Sequence, residues 1–312
     1  MSFSVTILGS ASAKPTINRH PSAQVVNIHE QHYLVDAGEG TQQQLFRYGI
    51  NPLKIRAIFI SHLHGDHVYG LFPLLSTLGL YGRKTAMKIY APRPFGEILA
   101  YHLRYFDSAL PYPVEWQEVD TTKHTLLFEN RTLEVWSIPL RHRIATAGFL
   151  FREKRPPLNI HKDKIAQYAL SIAQVTAAKR GEDLLLASGE VLSHAELTYE
   201  PYLPRAYAYL SDTNYSAKAA TLCTGVDLMY HEATYMAAEQ KTAKERGHST
   251  TADAAKAALK AGAGRLLIGH FSSRYKDLDP LLEEAKALFP HSYLADEGVT
   301  FELPKQHEKT DE

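Results

Sequence analysis

Apolar and polar residues alternate along this chain in two rhythms that take turns. Phe3, Val5 and Ile7 interleave with Ser4 and Thr6, the two-residue period of a strand. Gln31 to Ala37 reads as another strand, running into the turn Asp36-Ala37-Gly38-Glu39-Gly40 and a short helix from Thr41 that stops at Gly49. Ala57 to Ile60 is an apolar run suited to a buried strand, and Leu133 to Leu140, Ala206 to Leu210 and Leu266 to Ile268 are further strands. Helical signals lie between and after them. Thr250-x-x-Asp253 is a capping-box pattern opening an alanine-rich helix that ends near Gly262, and Asp279-Pro280 opens another that Pro290 ends. Such alternation predicts an α/β layered fold rather than a bundle or a β-sandwich.

From Arg152 to about Pro204 the rhythm lapses. Asp163 to Arg180 carries Ile165, Ala169, Ile172 and Ala173 at helical spacing and closes on Lys179, Arg180 and Gly181, so 152–204 reads as an arm inserted into a catalytic domain spanning 1–312. Charge sharpens that reading. Basic and acidic residues number 34 each, which excludes a polybasic binder, yet nine basic residues face two acidic ones between Arg141 and Arg180. The next twenty residues supply five acids and no base. At 45% hydrophobic the chain has material for a substantial core. Cys223 is its single cysteine, which excludes an internal disulfide and a thiolate zinc cage and favours a reducing compartment. The apolar stretch Leu71 to Leu80 is about half of the roughly 20 residues a membrane span needs, and Pro73 and Ser76 interrupt it. With no basic n-region at the N-terminus, the expected setting is cytoplasmic, without a membrane partner.

The candidate chemistry follows the strand Ala57 to Ile60. Ser61-His62-Leu63-His64-Gly65-Asp66-His67 puts four metal-capable side chains in six positions. A lone histidine after a strand is usually structural, but imidazoles at i, i+2 and i+5 with a carboxylate at i+4 have little structural use. The same punctuation recurs at His142, Asp212 and His270, each just beyond a predicted strand. Ligands collect at the carboxyl ends of strands in α/β sheets, so these ends can converge on one pocket. Five histidines and two aspartates are too many for one tetrahedral zinc and suit two metals sharing a carboxylate.

His62-x-His64-x-Asp66-His67, with His142, Asp212 and His270 downstream, resembles the metal motif of the metallo-β-lactamase superfamily. Further motifs are Asp36-Ala37-Gly38-Glu39-Gly40-Thr41-Gln42, Ser211-Asp212-Thr213, His231-Glu232-Ala233-Thr234, Gly247-His248-Ser249-Thr250 and Gly269-His270-Phe271-Ser272-Ser273-Arg274-Tyr275. Over nearly its whole length the chain is similar to ribonuclease Z, the endonuclease family that trims the 3′ ends of precursor tRNA. The resemblance implies an αβ/βα four-layer sandwich with an inserted helical arm. It implies two zinc ions per chain, one on His62, His64 and His142 and one on Asp66, His67 and His270, with Asp212 bridging. Asp66 would also orient or deprotonate the attacking water, and His248 beside Glu232 would protonate the departing 3′ oxygen. The products would be a tRNA 3′-hydroxyl and a trailer 5′-phosphate. The resemblance further implies a homodimer in which one subunit's arm holds the tRNA that the other cleaves.

Two departures bear on how the substrate is held. The family's phosphate loop reads here Pro15-Thr16-Ile17-Asn18-Arg19-His20, leaving Arg19, with Lys14 as a substitute, and the arm has no Gly-Pro motif between Lys154 and Arg180. The expected substrate contacts are Lys14, Arg19, Lys154, Arg155, Lys162, Lys164 and Arg274. Histidines 20, 29, 32, 102, 124, 161, 194, 291 and 307 fall in no comparable cluster. A small-molecule hydrolase of the same superfamily, acting on cyclic phosphodiesters, thioesters or lactones, is the alternative, and it has no need of a basic arm. An RNA-binding protein with a degenerate metal site is a third, which the complete ligand set disfavours.

Overall fold

The computed structural model describes residues 2–14, 16–106, 110–186 and 188–305, which form two units. The first runs to Glu129, resumes over Glu134–Phe151 and again over Ala206–Leu303. Among the described residues it carries two seven-stranded sheets. One has the spatial order Thr300–Glu302, Phe3–Gly9, Ala23–Ile28, Gln31–Ala37, Ile55–Phe59, Met87–Ala91, Val114–Glu118. The other runs Ser292–Leu294, Arg265–Gly269, Leu228–Glu232, Ala206–Leu210, Ala147–Glu153, Leu133–Pro139, Leu126–Glu129.

The two-residue period of the strands explains the layering. Along the first sheet, Leu34, Ile58 and Ile89 point to one side, where Leu45, Leu71, Leu74, Leu75, Leu78 and Phe95 of three helices cover them. Their neighbours Tyr33, Phe59 and Tyr90 point the other way and meet the second sheet. Tyr33 lies 5.5 Å from Phe128, Phe59 lies 5.4 Å from Phe149 and from Phe151, and Phe151 lies 6.2 Å from Tyr207, centroid to centroid. On the far side of the second sheet, Met229, Leu266 and Ile268 pack against Ala254, Ala255, Ala257, Ala258 and Ala261 of the helix Thr251–Ala261. The result is helix, sheet, sheet, helix, the expected αβ/βα sandwich. The alanine-rich helix is bounded as its sequence predicts: Thr250 and Asp253 form the capping box, and Gly262 ends it at φ 59°.

Register carries the site. Ala206–Leu210, Leu228–Glu232 and Arg265–Gly269 are parallel, pairing Leu210 with His231 and Glu232 with Gly269, so their carboxyl ends share one edge. Gln31–Ala37 and Ile55–Phe59 are also parallel, with Val35 opposite Phe59. Asp36, Asp212 and His270, each at or just beyond such an end, adopt left-handed backbone with φ of 56°, 53° and 58°. Side chains other than glycine, asparagine and aspartate rarely adopt that conformation, and it clusters at functional sites.

The second unit gathers Arg152–Arg205 with Asn130–Leu133 and the last described residues. Its core is small: Leu170, Ala178, Leu184, Leu192 and Leu197. The single helical run predicted over Asp163 to Arg180 is two helices, Lys162–Gln167 and Ile172–Lys179. Ala169 sits at φ 47°, which no right-handed helix accommodates, and turns Leu170 inward. Ser171 then restarts the helix, its Oγ accepting from Gln174 N while Gln174 Oε1 accepts from Ser171 N. Ile172, assigned to the apolar stripe, is 87% exposed. The charge reading also changes. Arg141 and Arg143 belong to the first unit, and Arg152–Arg205 holds eight basic residues against seven acidic ones. Arg155 pairs with Glu200 at 3.1 Å and Arg205 with Glu153 at 2.7 Å, the latter pair buried.

Candidate metal centre

The motif Ser61 to His67 leaves the strand Ile55–Phe59 and winds into the short helix Gly65–Val68. It meets His142, beyond the strand Leu133–Pro139, and Asp212 and His270 at the other sheet's edge. The two oxygens of Asp212 face two different groups. Oδ2 lies 3.5 Å from His62 Nε2 and 3.7 Å from His142 Nε2, while His64 Nδ1 lies 3.0 Å from His62 Nε2 and 3.3 Å from His142 Nε2. Oδ1 lies 3.2 Å from His67 Nε2 and 3.1 Å from His270 Nε2, and Asp66 Oδ2 lies 3.4 and 3.5 Å from those nitrogens.

These separations test whether a metal fits. Tetrahedral zinc with ligand bonds of about 2.0–2.1 Å has its donor atoms roughly 3.3 Å apart; the separations among His62, His64, His142 and Asp212 given above run from 3.0 to 3.7 Å, and His67 and His270 lie 3.1 to 3.5 Å from Asp212 Oδ1 and Asp66 Oδ2, close to that value. Nε2 of His67 and of His270 are buried and make no hydrogen bond among the described residues, although Asp212 Oδ1 is within reach of both.

The imidazoles are prepared as ligands by what holds their other nitrogen. Ser61 Oγ donates to Asp36 Oδ2 at 2.8 Å and so accepts from His62 Nδ1 at 3.0 Å. His67 Nδ1 donates to Asp36 Oδ2 at 2.7 Å, and His142 Nδ1 to Gly247 O at 2.8 Å. Thr234 Oγ1 donates to Glu232 Oε2 at 2.5 Å and accepts from His270 Nδ1 at 2.9 Å. In all four rings this places the proton on Nδ1 and leaves Nε2 with its lone pair. Burial lowers the proton affinity of His62, His64 and His142 below the usual imidazole range, which keeps them in the neutral form a metal needs. For His67 burial acts the same way, but the carboxylates of Asp212, Asp36 and Asp66 outweigh it and raise its pKa well above that range. Negative charge so concentrated in a buried place attracts a proton as it attracts a metal cation. Burial works to raise the pKa of Asp66 and Asp212, and the surrounding imidazoles reverse this and hold both acids ionised.

Beside the quartets stands a carboxylate–imidazole pair. His248 Nδ1 donates to Glu232 Oε1 at 2.9 Å, and the same oxygen accepts from Thr213 N at 2.7 Å. Burial opposes the charged form of His248, but Glu232 more than offsets it and the pKa is pushed up to about 9. Thr234 therefore joins this pair to the metal quartets, since it bonds both Glu232 and His270.

A cavity of about 620 Å³ opens onto His64, Asp66, His142, Asp212, His248 and His270. Lys14 and Arg274 line it, as do Arg143 and Arg246, which the sequence reading did not select. Arg274 is ion-paired with Glu239 and stacks 5.0 Å from the ring of Tyr235. Arg19 does not line this cavity. Its guanidinium lies 5.8 Å above Phe271 and donates to Tyr275 O at 3.4 Å, facing a second cavity shared with Lys14 and Lys276. Lys154, Arg155, Lys162 and Lys164 lie in the second unit. Of the histidines set aside, His20 pairs with Glu297, His124 donates to Ser137 O, His194 pairs with Asp183, and His307 lies outside the described residues. Sequence reasoning missed Asp36, Ser61 and Thr234 as supports of the histidines. The available signal was their place in the Asp-Ala-Gly, Ser-His-Leu-His and His-Glu-Ala-Thr motifs.

The family model of the Anti-Pycsar protein Apyc1 matches residues 3–109. Ribonuclease Z of Bacteroides fragilis is 42% identical over 301 residues, covering 96% of this chain and 99% of that one. Ribonuclease Z of Bacteroides thetaiotaomicron is 43% identical over 297 residues, covering 95% and 94%. Among solved structures, the short form of human tRNase Z superposes with a TM-score of 0.69 at 27% identity, covering 96% of this chain and 99% of that one.

Proposed function

Because this chain belongs to the ribonuclease Z family, we propose that it is a metal-dependent endoribonuclease that removes 3′ trailers from precursor tRNA, leaving a 3′-hydroxyl on the tRNA and a 5′-phosphate on the trailer. The observation that carries the reading is the pair of donor groups on the two oxygens of Asp212, with His248, held by Glu232, opening onto the same cavity.

The donor set suits two zinc ions per chain: His62, His64 and His142 would hold one, Asp66, His67 and His270 the other, and Asp212 both. Bound there, the metals would lower the pKa of a shared water and neutralise phosphoryl oxygens. Asp66, ionised and facing the cavity, accepts a proton from the attacking water. Glu232 fixes Nδ1 of His248, so the proton to be delivered sits on Nε2. As the phosphorus–O3′ bond breaks, that proton goes to the departing 3′ oxygen of the tRNA. Burial opposes the charge on the Glu232 carboxylate, but the His248 imidazolium keeps it ionised, and Thr213 N and Thr234 aim it. The cations Lys14 and Arg274 at the cavity and Lys154, Arg155, Lys162 and Lys164 in the second unit are assigned to RNA phosphates, as is Arg19. The arm acts within a homodimer, one subunit holding the tRNA that the other cuts. The buried Cys223 fits a cytoplasmic setting; among the described residues no helix is long and apolar enough to cross a membrane.

Incubation of the zinc-loaded protein with a precursor tRNA, with both product ends mapped, tests the reading. A single cut near the acceptor stem with the stated ends is the expected result. Protein that hydrolyses a nitrophenyl phosphodiester yet leaves precursor tRNA whole would overturn it in favour of a small-molecule hydrolase.

A further inference from the structure

The cavity over the candidate metal donors carries groups that suit phosphate, among them Lys14, Arg143, Arg246, Arg274 and Ser272, beside the carboxylates of Glu39, Asp66 and Asp212. At about 620 Å³ it is large enough for a whole ligand of nucleotide size. A nucleotide also brings a flat base, and a base needs an apolar face. Among the described residues lining the cavity, histidines aside, two are aromatic. Tyr235 is 4% exposed and its ring already carries Arg274, whereas Tyr69 is 68% exposed.

Tyr69 follows the ligand His67 by two positions and its placement is specific. Its backbone N donates to Gly65 O at 2.9 Å, and its ring lies so close over Gly65 that a methyl group there would meet it at 2.2 Å. Glycine at position 65, inside the ligand motif, is what makes room for the ring. One side of the tyrosine ring therefore lies against Gly65, while most of the residue stays exposed at the cavity. A large apolar ring held in that way beside a reactive centre is an unused stacking surface.

We propose that Tyr69 is a stacking platform for a nucleobase flanking the scissile phosphate, so that the enzyme positions its substrate by the base as well as by the backbone. The proposal rests on the ribonuclease reading above. Aromatic stacking on a splayed, single-stranded base is sequence-tolerant, which suits trailers of varied sequence. As a positioning residue, Tyr69 should act through substrate affinity.

Tyr69→Ala should lower kcat/KM on precursor tRNA by roughly 5- to 100-fold, carried mainly by KM. Tyr69→Phe, which keeps the ring, should restore it, and metal content should match the wild type in both. Precursors abasic on one or the other side of the scissile bond add an independent arm. One of them should be a poor substrate for the wild type, and for that one Tyr69→Ala should cost little more. Failure of phenylalanine to rescue, metal loss in the alanine variant, or independent multiplication of the abasic and alanine losses would overturn the platform. If the wild type cuts precursor tRNA and Tyr69→Ala cuts it equally well, the platform alone falls. If the wild type cuts no precursor tRNA, the ribonuclease reading falls first and the platform with it.

Discussion

Replacing Asp36 with asparagine changes one atom far inside the protein and should loosen the metal centre. Asp36 is fully buried and accepts four hydrogen bonds: Oδ1 from Ser61 N at 2.7 Å, and Oδ2 from Ser61 Oγ at 2.8 Å, His67 Nδ1 at 2.7 Å and Tyr209 OH at 2.7 Å. Asparagine has the same shape and tolerates the left-handed backbone at φ 56°. One of its two heads, however, is a donor. Placed at Oδ1 it confronts the Ser61 N–H; placed at Oδ2 it confronts the Nδ1–H of His67. The hydroxyls of Ser61 and Tyr209 can rotate away, whereas a backbone N–H and a ring N–H cannot. Either orientation forfeits one bond to a charged acceptor, about 1.5–3 kcal/mol, and leaves the others weaker because the carboxylate charge is gone. Since Oδ2 orients His67 directly and His62 through Ser61, both quartets feel the change. Metal affinity should fall by about 10- to 100-fold. The measurement is competition with a chromogenic chelator, paired with urea unfolding of metal-stripped protein to separate the cost to the fold. Affinity within about twofold of the wild type, with the fold clearly destabilised, would refute the claim that Asp36 acts on the metals.

Asp212→Ala should lose both ions together, because each Asp212 oxygen serves one quartet; one tightly held ion surviving in metal analysis would show that it does not bridge. His248→Ala should lower turnover on precursor tRNA by about two to four orders of magnitude with metal content unchanged, and should be far less impaired on a nitrophenyl diester, whose leaving group needs little protonation. Because the His248 pKa is pushed up to about 9, its proton is in place below that pH and is lost as pH rises through it. Turnover should decline above that point, and Glu232→Gln, which removes the charge that raises the pKa, should move the decline to lower pH; an alkaline limb that stays in place would disprove the pairing. Lys162→Gln and Lys164→Gln, if they remove phosphate contacts, should each flatten a plot of log K against log salt by roughly one unit, and unchanged slopes would release the arm from substrate capture.

What could be read in the sequence and what could not divide along physical lines. The strands ending at Leu210 and Gly269 and the capped helix Thr251–Ala261 were legible because period, cap and terminator are local signals. The candidate metal donors stood out in the sequence for the same reason, four of them lying within six residues. The break at Ala169 was not, because alanine in left-handed backbone is imposed by the burial of Leu170, although the capping box at Ser171 was a signal within reach. Asp36 and Thr234 act through partners 31 and 36 residues away, His67 and His270, and no local pattern shows such a pairing. The arm's charge, basic up to Arg180 and acidic over the next twenty residues, is nearly balanced over the folded unit, and a count along the chain does not show which residues pair, as Arg155 does with Glu200.

The left-handed backbone at Asp36, Asp212 and His270 has a consequence for anyone who selects this protein by heat. Holding a residue other than glycine, asparagine or aspartate in that region costs on the order of 1–2 kcal/mol, and His270, at φ 58°, is such a residue. Glycine at position 270 would relax that strain while discarding a candidate metal donor. A library of metal-free protein screened for thermal endurance alone would therefore be drawn toward sturdier molecules with a dismantled centre. Any campaign to toughen this enzyme has to sort its survivors by turnover as well, or it will collect well-folded relics.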